Sequence, residues 1–552
     1  MTGQAIKTNE KWLYLCIILA VFLNFTGIFV TVMGPDGALY ASISKTMVWR
    51  NNFVDLFVDG RDWLDKPHFP FWVVALSFKL FGITTWAYKL PGILFVLMGA
   101  GYTYQFALAL YNKHVALWSV VILLTAQHIL ISNTDVRAEP YLTGLIIGSV
   151  YYFYRAQRQS WFMPLLLGSV FAACAVMTKG IFAVIPIAGA IIGQLLIHRD
   201  WRGMFHIKWL IAVVLVGVFI LPEIWCLYQQ FDMHPEKVVF GKTHVSGIKF
   251  FFWDSQFGRF FNNGPIKKSN GDLSFFVHTT LWAFLPWSLL LYIAIVQFFR
   301  SKVKTIQQKE WYCISGAGLT FLVFSVSKFQ LPHYITIIFP FFAILTAQFI
   351  LTEGYRIKWV RGVQIFVMSA MVLILCVLEY FFRPTGISPF AVCCFIAAAM
   401  LFIFFSVKAV QQYRVFFQTF AVALLVNLYF NLAYYPQLLR YQSDSTAAFW
   451  INKHNPSNLP LVQVKNGSSY GLDFYANQKV YPYRMGEKAL LPKRPYLLVG
   501  ERQEIEALMS SGLVAETLQS FEHFHITLVK PKFLNYKTRA NELGYTDIVL
   551  VK

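Results

Sequence analysis

The sequence predicts an all-α membrane bundle of about thirteen transmembrane helices, with juxtamembrane helices and a small C-terminal α/β domain. Three observations predict it. Hydrophobic residues make up 57% of the 552 and charged residues 13%, against about 25% charged in a soluble domain. Apolar runs recur along the chain at the length of about 20 residues that a bilayer crossing needs. Beyond residue 436 the composition turns polar, with only short apolar runs.

The predicted spans lie near 12–32, 88–111, 115–132, 139–155, 162–179, 180–197, 208–228, 276–299, 311–327, 333–351, 361–382, 387–407 and 414–434. The start of the chain is short and polar before the first span, so no cleavable signal peptide is expected. Phe69 to Ile83 is the difficult stretch, because it is short and Lys79 interrupts it. With 69–83 lying in the interface, one side of the membrane receives Lys7, Lys11, Lys113, Arg155, Arg158, Arg199, Arg202, Lys208, Arg300, Lys302, Lys304, Lys309, Arg356, Lys358, Arg361, Lys408 and Arg414. Basic loops mark the cytoplasmic side. The net charge of +20 therefore reads as topology and not as nucleic-acid binding. The N-terminus is expected inside and the C-terminus outside.

Three longer segments then face outward: 33–87, 229–275 and the tail from about 437. The expected domains are 1–436 in the membrane and 437–552 outside. Within the tail, Leu461 to Val464, Tyr496 to Val499, His525 to Val529 and Ile548 to Val551 read as strands, and Glu504 to Ser511 as a helix. All seven cysteines fall in apolar runs. They read as small packing residues, and no disulfide or metal site is expected of them.

Ionisable residues near lipid are costly and often functional. In this topology they gather at the outer face. Asp36 follows the first span, and Asp65 and Lys66 precede the interfacial stretch. Asp135, Arg137 and Glu139 sit at the outer end of the third span. Lys179 lies between two spans, and Lys328 and His333 occupy a later outer turn. Each has a plainer reading. Asp36 fits a helix N-cap, Lys66 and Lys328 fit headgroup anchors, and Lys179 fits a helix C-terminus. The triad 135–139 fits a surface charge cluster, and His333 an interfacial histidine. As a set they suit displacement from a lipid phosphate. Lys and Arg stabilise the charge developing on the leaving phosphate. One carboxylate takes the acceptor's proton as general base, and inversion needs no protein nucleophile.

The same residues carry a family resemblance. Asp36-Gly-Ala-Leu-Tyr40, Trp63-Leu-Asp-Lys-Pro67, Arg137-Ala-Glu139, Met177-Thr-Lys-Gly180, Phe257-Gly-Arg-Phe260, Leu285-Pro-Trp287, Ser325-Val-Ser-Lys328 and Leu331-Pro-His-Tyr334 resemble, in order and spacing, the bacterial protein mannosyltransferase and aminoarabinose (lipid A) transferase superfamily. The match runs over roughly residues 12–350. It implies a GT-C fold, an undecaprenyl-phosphate or other polyprenyl-phosphate sugar donor and a place in the bacterial inner membrane with the site periplasmic. It implies Asp36 as the catalytic aspartate and Lys66, with Arg137 and Lys328, as donor-phosphate ligands. Tyr40, Asp65, Asp135, Glu139, Arg259, His333 and Tyr334 complete the expected donor and acceptor site.

Two departures stand out. Aminoarabinose transferases usually carry Glu and Arg between the aspartate and the tyrosine, where this chain has Gly37-Ala-Leu39. Relatives often place Glu-His ahead of the arginine that matches Arg259, where this chain has Ser255-Gln256. No metal or other cofactor is expected. The acceptor is expected to be lipid A or another glycolipid, with Ser or Thr of a secreted protein as the alternative. A transporter or flippase is the competing class, as is a non-catalytic scaffold. The loop 229–275, with its lysines including Lys267 and Lys268, and the tail are the expected acceptor-reading parts.

Overall fold

The structure is a computed structural model. It describes residues 3–158, 160–267, 271–300, 310–409, 411–465, 469–484 and 491–552. The basic residues Lys268, Lys302, Lys304 and Lys309 lie outside these. Helices occupy the predicted spans, some of them broken, and the first ends at Phe25, short of its expected end at 32. Seven helical stretches among the described residues are long and apolar enough to cross a bilayer. The pair Lys113–Thr125 and Gln127–Thr134, bent by 52°, makes up to eight. Ile181–Ile197, Ser288–Arg300 and Tyr312–Val326 are shorter apolar helices.

Burial separates centre from periphery. The apolar stretch Pro332–Gly354 is 83% buried, whereas Pro389–Lys408 is 17% buried and presents its apolar side chains outward. Small residues let the central helices approach: a Cβ on Gly144 would lie 2.3 Å from the Phe95 carbonyl. Polar side chains bridge helices there as well. Asn133 donates to Asn24 at 2.6 Å, and Trp287 Nε1 donates to Thr125 Oγ1 at 2.9 Å. Such small and polar contacts hold helices together where lipid offers no hydrophobic drive. The predicted span 276–299 is broken into Phe275–Ala283 and Ser288–Arg300. The break holds Leu285-Pro286-Trp287, and the Leu285 carbonyl accepts from Gln127 N at 2.9 Å, at the start of the bent pair's second helix.

Phe69–Phe81 is a helix of 13 residues. At 1.5 Å per residue it reaches about 20 Å, short of the roughly 30 Å hydrocarbon core. Before it, Asp36–Arg50 forms a second short helix that buries Tyr40, Ile43, Lys45 and Met47.

The tail forms a five-stranded sheet in the order Val480–Tyr483, Leu461–Val464, Tyr496–Glu501, Gly544–Val551, Ala515–His523. The first three are mutually parallel and the last two antiparallel. Leu461–Val464 is buried at every residue, as a parallel strand covered on both faces should be. One strand was not expected, and one strand expectation fails. Val480–Tyr483 is a strand despite Pro482, which an edge position tolerates. His525 to Val529 is a turn, and the strand is Ala515–His523. That strand is an edge with mostly polar residues, none of them buried, so no apolar run marks it. Ile526 instead packs against the Phe382 and Phe533 cluster.

The sheet domain and the loop 33–87 occupy the same end of the bundle. Gln442 Oε1 accepts from Gly34 N at 2.7 Å, and the Tyr475 hydroxyl accepts from Val32 N at 2.8 Å. Lys45 Nζ donates to the carbonyls of Asp473, Phe474 and Ala476 at 2.6–2.9 Å. Burial pulls Lys45 down to about 7, with Asp473 opposing. The tail thus grips the helix Asp36–Arg50 both before its first residue and in its third turn.

Candidate active site

Asp36 is the first residue of its helix, and the N-cap is Pro35, with no side-chain cap hydrogen bond. Its carboxylate instead receives Arg137 Nη1 at 2.6 Å. Arg137 also grips Asp135, through Nη2 at 2.7 Å and Nε at 2.9 Å. One guanidinium fork therefore fixes two carboxylates from segments 101 residues apart. Asp36 remains 46% exposed while Asp135 is 11% exposed, so Asp36 is the carboxylate open to a reactant. Burial pushes the Asp135 carboxyl above its ordinary value, and Arg137 offsets part of that.

A second group lies beside the first. Glu139 opens the helix Glu139–Ala156, with Pro140 in its first turn. Lys179 closes the helix Phe162–Lys179. Lys179 Nζ reaches Glu139 Oε1 at 2.5 Å, and His333 Nε2 lies 3.8 Å from the same oxygen. The ammonium also sits 3.7 Å above the Tyr334 ring. Gly180 adopts φ +93°, and a Cβ there would meet the Gln256 amide at 2.1 Å. Gln256 itself donates to the Lys179 carbonyl at 3.2 Å and accepts from Phe182 N at 3.2 Å.

The third group comes from the loop ahead of Phe69. Asp65 pairs with Lys66 at 2.9 Å and, through its other oxygen, with Arg259. Arg259 also lies over the Phe329 ring at 5.4 Å. Burial pulls the Lys66 ammonium below its ordinary range. The Tyr334 hydroxyl and the Asp36 and Glu139 carboxylates oppose this. Tyr40 packs edge-on against Trp63 and Phe71 below them.

The expected residues thus converge, with one exception. Lys328 is exposed, and its backbone N–H donates to the Phe260 carbonyl at 2.9 Å. Its neighbours Ser327 and Phe329 line a cavity of about 60 Å³ with Lys179, Gln256, Arg259 and Tyr334. A larger apolar groove of about 600 Å³ is lined by Val277, Leu291, Ile295, Phe321, Leu322 and Ser325 among others, and Ser325 and Val326 on the groove alternate along the chain with Phe324 and Ser327 on the cavity. Among the described residues, no three His, Cys, Asp or Glu side chains converge at metal-binding distance.

Sequence reasoning missed two supports. His68 and Glu223 form a fully buried pair, Nδ1 to Oε1 2.9 Å, and Glu223 Oε2 accepts from His68 N at 2.9 Å. The pair fixes the end of the Asp65-Lys66 loop. Lys89 is buried and donates to the carbonyls of Gly27 and Val30, which holds the segment leading to Asp36. The available signal was an ionisable residue inside each apolar run.

Comparison with known proteins finds similar chains. The family model for dolichyl-phosphate-mannose-protein mannosyltransferase matches residues 65–225. An uncharacterized protein of Aquifex aeolicus is 26% identical over 384 residues, 68% of this chain and 70% of its own length. An undecaprenyl phosphate-alpha-4-amino-4-deoxy-L-arabinose arabinosyl transferase of Edwardsiella ictaluri is 26% identical over 322 residues. That match covers 57% of this chain and spans only about half, 55%, of the transferase. The crystal structure of ArnT from Cupriavidus metallidurans bound to undecaprenyl phosphate superposes with a TM-score of 0.75 at 17% identity, covering 98% of each chain.

Proposed function

We propose that this chain, a membrane glycosyltransferase of the GT-C superfamily that includes the protein mannosyltransferases and aminoarabinose transferases, moves a sugar from undecaprenyl phosphate to lipid A or another glycolipid. The reaction takes place at the periplasmic face of the inner membrane, with the N-terminus in the cytoplasm and thirteen spans within residues 1–436. The observation that carries this reading is the meeting of two unlike surfaces. The apolar groove has room for a lipid tail. Ser325 and Val326 on the groove are chain neighbours of Phe324 and Ser327, which line the cavity with Arg259 and Lys179. A polyprenyl chain in the groove brings its phosphate toward these two partly buried cations.

Each group then has a role. Lys66 and Arg259 take up the charge of the departing undecaprenyl phosphate, and charge-assisted bonds of this kind are the strong ones. Arg259 Nε is buried without a hydrogen-bond partner among the described residues, so it has a donor to spare. Asp36 accepts the proton of the acceptor hydroxyl as that oxygen attacks the anomeric carbon. The bond from that carbon to the phosphate oxygen breaks on the opposite side, which inverts the configuration. Arg137 orients Asp36 through its Nη1 hydrogen bond. Lys179 and His333 hold Glu139 against the site. Lys328, exposed at the rim, is placed to meet a headgroup or the donor phosphate as it enters.

The test is transfer by purified protein of radiolabelled undecaprenyl-phosphate sugars to a membrane lipid extract, beside Asp36→Asn. Loss of a general base costs about 10²- to 10⁴-fold in rate, with folding and donor binding retained in the variant. Normal transfer by Asp36→Asn would end the assignment. Label moving to secreted protein and not to lipid would replace the acceptor. Flux of donor without product would replace the class by a transporter.

A further inference from the structure

The tail carries a crevice that the transfer chemistry does not use. It encloses about 240 Å³ and lies where open α/β sheets bind ligands. That place is outside the carboxyl ends of two adjacent parallel strands whose connections leave on opposite sides of the sheet. Here the strands are Leu461–Val464 and Tyr496–Glu501, paired in parallel. The first is followed by the helix Gly471–Tyr475, whose Leu472 packs on the face of Leu461, Leu497 and Val499. The second is followed by Arg502–Ser510, whose Ile505 packs on the opposite face with Val462, Val464 and Leu498. Val464, Gly500 and Glu501, at the two strand ends, line the crevice.

A second observation points to a ligand. Gln463 lines the crevice and is 4% exposed, and its Oε1 is buried without a hydrogen-bond partner among the described residues. Its Nε2 donates to Ser469 Oγ at 3.2 Å. A buried carbonyl oxygen left unpaired costs about 1–3 kcal/mol, so a hydroxyl or amine donor supplied by a ligand is favoured there. The remaining wall offers hydroxyls, imidazoles and carboxylates, including Ser443, Asp444, Glu501 and His523, and among the described residues contains no Lys or Arg. The N-terminus of Arg502–Ser510, a natural anion site, is already closed by the capping box of Glu501 and Glu504. The chemistry disfavours a phosphate and favours a polyol, more so if it carries an amine.

We propose that this crevice binds the saccharide part of the acceptor, an uncharged or amine-bearing sugar, and not its phosphates; the role as acceptor site rests on the transferase reading above. The placement suits that role. Gly34 and Pro35, immediately before Asp36, form part of the wall. Gln442, another wall residue, holds Gly34 N and the Val32 carbonyl. A sugar seated here lies against the segment that positions Asp36.

The experiment titrates the full chain in detergent with a β-1,6-linked glucosamine disaccharide and with its bisphosphorylated form, read by saturation-transfer NMR. Undecaprenyl phosphate is titrated into the same preparation. The expected result is binding of the disaccharide at least tenfold tighter than its bisphosphate. Gln463→Leu, which keeps the fill of the strand but removes the carbonyl, weakens it at least tenfold. Ser443→Ala, a smaller change, is the second variant, and both are compared at an unchanged melting temperature. Equal or tighter binding of the bisphosphate overturns the proposal. So does undiminished disaccharide binding in both variants, or no binding to the wild type. If undecaprenyl phosphate fails to bind while the disaccharide binds, the donor assignment falls and the crevice stands. The reverse pattern removes the crevice alone.

Discussion

Replacing Glu223 by alanine tests whether a buried pair holds the loop of Asp65 and Lys66 in place. His68 and Glu223 are both fully buried, 2.9 Å apart, and Glu223 also accepts the His68 backbone N–H. Removing one partner of a buried pair costs about 3–5 kcal/mol. An unpaired buried imidazolium sheds its proton rather than staying charged, so the lower end, about 3 kcal/mol, applies. At about 1.36 kcal/mol per decade, the loop 53–68 should open roughly 10²-fold more often. Hydrogen exchange reads this at two amides. Trp63 N–H donates to the Leu56 carbonyl at 2.8 Å, and Leu56 N–H donates to Gln230 Oε1 at 3.0 Å. Glu223→Gln keeps an acceptor for the backbone N–H and should lose less, about tenfold. Protection within threefold of wild type in Glu223→Ala would refute the reasoning. An equal rise across Pro332–Gly354, the most buried of the long helices, would also refute it, because the effect would then be global.

Two further outcomes are expected. Burial alone would lower the His68 pKa, but the Glu223 carboxylate outweighs it and leaves it raised above 6.5. A base raised on folding stabilises fully below its unfolded value and loses that contribution as pH climbs through the folded value. Thermal stability should therefore fall as pH rises above about 6.5, and His68→Asn should flatten that part of the profile; a stability that rises there would contradict it. Lys66→Gln should weaken undecaprenyl-phosphate binding by roughly 10- to 100-fold, the worth of one hydrogen bond to a charged group. Binding measured in detergent micelles checks this, and an unchanged affinity would remove Lys66 from the phosphate site.

The local features of the chain were legible in its sequence. Span positions follow from the length of apolar runs, because a helix in lipid satisfies its own backbone and needs only apolar side chains around it. The tail strands Leu461–Val464 and Tyr496–Glu501 announced themselves as apolar runs for the same reason: both faces are covered. The edge strand Ala515–His523 did not, because half its side chains meet water and its partner comes from residues 544–551. The polar set Asp36, Lys66, Arg137 and Glu139 was visible as ionisable residues at one end of the spans. Which charge meets which was not. Asp36 fits a helix cap by local rules, yet it binds Arg137 from another helix end. Lys179 fits a helix C-terminus, yet it binds Glu139. Glu223 and Lys89 were hidden inside apolar runs until packing brought His68 and the Gly27 and Val30 carbonyls to them. Hydropathy is a property of one segment and survives reading in isolation. Ion pairs and clefts belong to two or three segments at once, so only the tertiary structure decides them.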